Sequence, residues 1–221
     1  LKNVLNGCMG YDSVYGYWLL AGSSNNNLNG CYSYSSSASG FTVSGTNSNY
    51  NQIVGCYSIS DSYGVLIQDS NSYNSAKSCT IIDAVGHGIY LLGGSHHSAI
   101  GNTVVNASVG TSSYTGICIN ASDYNTVQGN SVRKGAGTSP YGIWISSGSY
   151  NLIGPNDLIL SGTTSPILDS GTATRKTTIE AQSSAVSAST LAEVTSNALT
   201  DITDMSITIV SGGGDIEAEF C

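Results

Sequence analysis

A short apolar strand entered through a glycine occurs six times in the first 149 residues, and nothing else in the chain constrains its fold as much. It reads "YGYWLLAGS" from Tyr15, "SGFTVSGTN" from Ser39, "YGVLIQDSN" from Tyr63, "HGIYLLGGS" from His87, "TGICINASD" from Thr115 and "YGIWISSGS" from Tyr141. The glycines Gly16, Gly40, Gly64, Gly88, Gly116 and Gly142 stand 24, 24, 24, 28 and 26 residues apart. Three equal intervals followed by longer ones describe one structural unit that accepts loop insertions.

A second element lies between these strands, roughly Asn-x-aliphatic-x-Gly followed by Cys or Asn. It appears as "NVLNGC", "NLNGC", "NQIVGC", "SAKSC", "SAIGN", "NTVQGN" and "NLIGPN", ending at Cys8, Cys31, Cys56, Cys79, Asn102, Asn130 and Asn156. Just ahead of it runs a further column, read as Tyr50, Tyr73, His97, Tyr124 and Tyr150. Side chains alternate along a strand, so the first and third residues after each glycine share a face. Those residues are Tyr17, Phe41, Val65, Ile89, Ile117 and Ile143, with Leu19, Val43, Ile67, Leu91, Ile119 and Ile145. They are apolar throughout and are predicted to form the core. A unit of two or three short strands cannot bury such a face alone, whereas a stack of units buries it continuously. The chain is therefore expected to be all-β, a parallel solenoid of about seven coils of about 24 residues.

Composition agrees with a folded β protein: 40% of residues are hydrophobic, 9% are charged, and there are 27 Gly against 3 Pro. Residues 1–176 hold seven acidic and six basic side chains, and residues 177–221 hold seven acidic ones with no Lys or Arg. Without a basic patch to neutralise phosphates, nucleic acid is not an expected partner. No run approaches the ~18 apolar residues of a membrane span. The near-neutral Ser, Thr and Asn surface suits an uncharged partner such as a glycan. The chain begins without Met, inside a repeat, and is expected to be a fragment or a processed product.

These motifs resemble the right-handed parallel β-helix of pectate-lyase-like and NosD-like proteins, whose repeats read "N-x-I-x-G-N … G-I-x-L". The resemblance covers residues 1 to about 175. It implies the fold, but the same scaffold hosts lyases, hydrolases, epimerases, viral tailspikes and proteins without activity.

Four of the six cysteines occupy one repeat position, and coils about 4.8 Å apart allow a disulfide between neighbouring rungs. The alternative is a ladder of buried thiols, favoured because Asn fills the same position in later coils. Spacings of 23, 25 and 23 lack the paired cysteines of a zinc site, so neither a metal nor a cofactor is expected.

His87, between two glycines, resembles the GHG segment of polygalacturonases. That resemblance implies paired aspartates one coil earlier, acting as acid and base. The preceding coil offers Asp61 and Asp69, without an adjacent Asp-Asp pair, and "VRKG" at 132–135 is a poor match to the expected basic motif. His87, Asp61 and Asp69 are the leading catalytic candidates. Asp83 and Asp123 are further possible acid/base residues, with Lys77, Arg133 and Lys134 as the available bases, and together they do not complete an acid/base or calcium-lyase constellation. Isolated aspartates in such turns commonly cap backbone amides.

The second residue after each glycine, expected to face outward, reads Trp18, Thr42, Leu66, Tyr90, Cys118 and Trp144. An outward column this apolar marks a subunit interface, a glycan-stacking surface or coverage by a loop. Trp18, Leu66, Tyr90 and Trp144 are the residues expected to carry it.

The repeat fades after "SPILDSGTATRK". Residues 176–190 read as a linker, and residues 191–221 read as a small β-rich module suited to oligomerisation. A β-helix with such an end is similar in layout to phage tailspikes and tail fibres. That implies a homotrimer on a virion or cell surface, bound to or facing polysaccharide. A polysaccharide lyase or glycoside hydrolase, and a purely structural filament protein, are the alternatives.

Overall fold

The computed structural model describes residues 2–109 and 112–177; the expected linker beyond 177 and the C-terminal module lie outside the described residues. Successive coils add strands to three parallel sheets of eight, six and seven strands. Sheet A contains β1 (Val4–Asn6), β4 (Asn27–Asn29), β7 (Gln52–Val54), β10 (Ser75–Lys77), β13 (Ser98–Ile100), β16 (Thr126–Gln128), β19 (Leu152–Ile153) and β21 (Arg175–Lys176). Sheet B contains β2 (Met9–Tyr11), β5 (Tyr32–Tyr34), β8 (Tyr57–Ile59), β11 (Thr80–Ile82), β14 (Thr103–Val105) and β17 (Ser131–Arg133). Sheet C holds the glycine-entered strands: β3 (Tyr15–Leu19), β6 (Ser39–Val43), β9 (Val65–Gln68), β12 (Ile89–Leu92), β15 (Ile117–Asn120), β18 (Tyr141–Ile145) and β20 (Ser165–Asp169). This is the expected all-β solenoid of about seven coils. Among the described residues, no helix is long and apolar enough to cross a membrane.

The predicted core columns are buried. Phe41, Val43, Val65, Ile67, Ile89, Leu91, Ile117, Ile119, Ile143 and Ile145 are all inaccessible to solvent, and Tyr17 and Leu19 of the first coil are partly covered. Each such side chain contributes about 2 kcal/mol by leaving water. Across the lumen, sheet B presents Ser33, Ser58, Ile81, Val104 and Val132 in register. These residues explain the repeated glycine. A methyl on Gly88 would collide with Val104 and with the Gly116 carbonyl, and one on Gly64 with Ile81 and the Gly88 carbonyl. The sixfold glycine is required by lack of room where sheet B turns into sheet C, not by an unusual backbone angle.

The other two corners are stitched by side chains. At the corner from sheet C to sheet A stand Asn3, Asn26, Asn51, Asn74, His97, Asn125 and Asn151. Each carboxamide oxygen accepts the backbone N–H of its equivalent one coil earlier: Asn26 from Asn3 at 3.1 Å, Asn51 from Asn26 at 3.0 Å and Asn74 from Asn51 at 2.8 Å. His97 substitutes its Nδ1, which accepts from the Asn74 N–H at 3.2 Å, and its own N–H donates to Asn125 at 2.8 Å. Burial pushes the His97 pKa down to about 4, so the ring is neutral.

This register corrects the expected Tyr50–Tyr73–His97–Tyr124–Tyr150 column by one residue. The stacked member is His96, and His97 belongs to the buried asparagine column behind it. Consecutive histidines point to opposite sides of the turn, and only the contacts one coil away distinguish them.

At the corner from sheet A to sheet B, Cys8, Cys31, Cys56 and Cys79 are free thiols, the last three buried. Cys56 donates to the Leu28 carbonyl and Cys79 to the Ile53 carbonyl, both at 3.4 Å. Asn102 and Asn130 donate to the matching carbonyls of Ala76 at 3.0 Å and Ala99 at 2.9 Å. Thiol and carboxamide meet the same requirement, a donor for the carbonyl of the coil behind.

Candidate functional site

The catalytic candidates do not converge. Asp61 is fully buried inside the solenoid, where its carboxylate accepts from the Ser36 N–H at 2.6 Å and from the hydroxyls of Ser58 at 2.6 Å and Ser33 at 3.0 Å. Asp69 is exposed at the far end of β9, where it accepts the Gly45 N–H at 2.6 Å. A whole strand separates the two carboxylates, so they do not form an acid/base pair. Each caps a backbone amide, as isolated turn aspartates do. Among the described residues, no group of three or more His, Cys, Asp or Glu is placed to hold a metal.

His87 is only 4% exposed, and its Nδ1 accepts the Thr115 N–H at 2.9 Å, 28 residues ahead. Burial holds its pKa down at about 4, so the ring is neutral. The basic lone pair is spent on a backbone amide, leaving Nε2–H as a donor. In this arrangement the ring is not a general base.

The outward column is assembled as expected in register: Trp18, Thr42, Leu66, Tyr90, Cys118, Trp144 and Leu168 lie side by side on sheet C. A second column accompanies it. The chain bends at the glycine, which faces the lumen together with the residue after it, so simple alternation fails there. The residue before the glycine consequently lies beside the second residue after it. Tyr15 stacks on Trp18 with centroids 4.4 Å apart, His87 meets Tyr90 at 4.6 Å and Tyr141 meets Trp144 at 6.2 Å. The same offset pairs the Ser39 and Thr42 hydroxyls.

This outer face is not one open stripe. Leu66 is 9% exposed and Cys118 1%, so Leu66 presents almost no surface for a ligand or a subunit. Tyr114, in the interval that lengthens to 28 residues, packs against the rings that precede the glycines. Its ring stands edge-on to His87 at 5.0 Å and to Tyr63 at 6.0 Å, and Tyr63 in turn lies 5.8 Å from Tyr90. Burial, together with the Tyr114 hydroxyl, pushes the Tyr63 pKa up to about 12. Tyr63, His87, Tyr90 and Tyr114 form a second small core outside the sheet. Tyr90 remains half-buried, its hydroxyl accepting from Asn120 Nδ2 at 3.0 Å. Trp18 is 47% exposed and donates from Nε1 to the Ser44 hydroxyl at 2.6 Å, and Trp144 is half-buried.

Tyr63 and Tyr114 are the residues that sequence reasoning missed. The spare residues of the 28-residue interval signalled an insertion, but nothing local said that Tyr114 within it meets the rings of Tyr63 and His87.

The face thus carries ring pairs at coils one, four and six, with no carboxylate among them. It can offer apolar ring surface together with amide and hydroxyl groups, the complement of an uncharged sugar.

No curated protein sequence matches the chain. Among solved structures, a crystal structure of a mutant of the periplasmic alginate epimerase AlgG is similar, with 14% identity and a TM-score of 0.37. The similar region covers 73% of this chain and 50% of that one, so the chain spans about half of that structure. The sequence model of the family described as "Right handed beta helix region" matches residues 63–221, more than half of the sequence, and the chain belongs to this right-handed β-helix family.

Proposed function

We propose that the protein is an exported surface β-helix that binds neutral polysaccharide on the outer face of sheet C without cleaving it. The observation that carries this reading is the line of outward rings Trp18, Tyr90 and Trp144 on one sheet along the solenoid axis, with Tyr15 stacked on Trp18 and Tyr141 beside Trp144. With rungs about 4.8 Å apart, Trp18 and Tyr90 stand about 14 Å apart and Tyr90 and Trp144 about 10 Å. A short oligosaccharide spans such a track. The near balance of charge over residues 1–176 favours an uncharged ligand. The internal position of Asp61 and the engaged Nδ1 of His87 favour binding over turnover. A trimeric fibre on a cell or virion surface is the assembled form of the same reading.

The test is a panel of neutral glycans incubated with the parent protein and with Trp18→Ala and Trp144→Ala. Oligomeric state is followed by analytical ultracentrifugation. Binding by the parent, weakened about tenfold in either variant and without new reducing ends or unsaturated sugar, is the expected result. Release of products would replace this reading with the lyase or hydrolase alternative. Unchanged binding in both variants would remove sheet C from it.

A further inference from the structure

A second aromatic array lies outside sheet C, at the corner where that sheet turns into sheet A. Tyr50, Tyr73, His96, Tyr124 and Tyr150 stack on one another rung by rung, with centroid separations of 4.9, 4.8, 5.1 and 5.1 Å. Their planes are tilted by only 1°, 24°, 11° and 11°. Parallel rings in contact are about 3.5–4 Å apart, so these separations mean offset stacking in which each ring overhangs the next. The rings stay about half exposed, with Tyr50 at 53%, Tyr73 at 47%, Tyr124 at 50% and Tyr150 at 56%.

All five residues have φ between 53° and 60°, the left-handed region that aromatic residues seldom occupy. The same position is held by Asn25 in the first coil and Ala173 in the last, also at positive φ. The turn therefore does not require a ring. Asn, which adopts this conformation with less strain, serves in the first coil but is replaced in five successive coils. The adjoining column is Ser24, Asn49, Ser72, Ser95, Asp123 and Ser149, almost free of charge. Together these residues form a straight ridge of overhanging ring faces and hydroxyl edges beside a strip of small polar groups.

We infer that this ridge is a second glycan track, on which a linear neutral oligosaccharide lies parallel to the solenoid axis with one sugar per rung. The inference rests on the polysaccharide-binding reading and extends it to residues that sheet C does not contain. An equatorially linked pyranose chain advances by about one rung per sugar, so successive C–H faces meet successive rings in register. Sugar hydroxyls then reach the tyrosine hydroxyls and the neighbouring Ser and Asn groups. A glycan that bends away after each linkage would contact one ring and miss the rest.

The experiment measures affinity of the full chain for linear β-1,4-linked oligomers of glucose, mannose and N-acetylglucosamine, from the disaccharide to the octasaccharide. Affinity is expected to rise with length to about the pentasaccharide and then level off, since five rings make the ridge. The double variant Tyr73→Ser/Tyr124→Ser is expected to bind the pentasaccharide at least tenfold more weakly and to lose the length dependence. His96→Tyr, which supplies the missing phenol, is expected to bind at least as tightly as the parent. Circular dichroism melts establish that each variant is folded. Binding that fails in Trp18→Ala yet persists in the double variant would overturn this inference and leave the sheet C reading standing. Failure of the parent to bind any of these oligomers would overturn it too. So would a double variant that alters only self-association.

Discussion

Two corners of the solenoid solve one problem with different chemistry. Where sheet C turns into sheet A, a carboxamide serves at every position from Asn3 to Asn151 but one, where His97 takes its place. Where sheet A turns into sheet B, thiols serve the first half and carboxamides the second. At both corners the buried turn leaves backbone groups facing the neighbouring coil, and an unmade bond there costs more than a made one contributes. The carboxamide supplies both a donor and an acceptor. Asn130 donates to Ala99 and to Asn156, and it accepts from the N–H and the Nδ2 of Asn102, all at 2.9 Å. A thiol supplies one weak donor and a compact apolar body. The thiol half of the second corner is therefore held mainly by packing, and its other half, like the whole first corner, by hydrogen bonds.

Acid should break the comparison most. His97 is the one imidazole in the buried carboxamide column, and His87 is the other buried imidazole; both are held near pKa 4 by burial. Each binds its proton more weakly folded than unfolded, so its contribution is complete above about pH 6.5 and is lost as the pH falls towards 4. The expected loss is about 3 kcal/mol per ring, read from urea unfolding across that range. His97→Asn should restore the ladder and flatten the part of the pH dependence due to that ring.

Removing a carboxamide comes next. Asn130→Ala leaves the Asn102 N–H and the Ala99 carbonyl buried without their partner and is expected to cost about 2–3 kcal/mol. The same unfolding experiment at pH 7 measures it.

Converting thiol to carboxamide sharpens the comparison from the other side. Cys79→Asn gives the Cys56 N–H the acceptor that Asn102 gives Cys79 at 2.9 Å, and is expected to stabilise by about 1 kcal/mol. A loss of stability would mean that packing volume, not hydrogen bonding, selects sulfur in the early coils. The smallest effect is one of access. Cys8 is exposed, whereas Cys31, Cys56 and Cys79 are buried, so a maleimide should label Cys8 in the native protein and the other three only on unfolding. Peptide mass mapping distinguishes the sites.

The sequence by itself determined the period, the parallel solenoid and the membership of its inner columns. Each of these follows from a residue type recurring at an interval, and a recurring interval places equivalent residues one above another. It also showed that Cys and Asn share a position. Tertiary structure alone decided three further things. It assigned His96 to the stack and His97 to the interior, because a one-residue choice within a turn is settled by partners one coil away. It placed His87 beside Tyr90, because the bend at the crowded glycine suspends the alternation on which the outward column was predicted. It brought Tyr114 against His87 and Tyr63, rings one and two coils away that no local pattern links to it. Periodicity records what every coil shares. The outer face was decided where single coils depart from it, through contacts some 23 to 30 residues apart that no local pattern encodes.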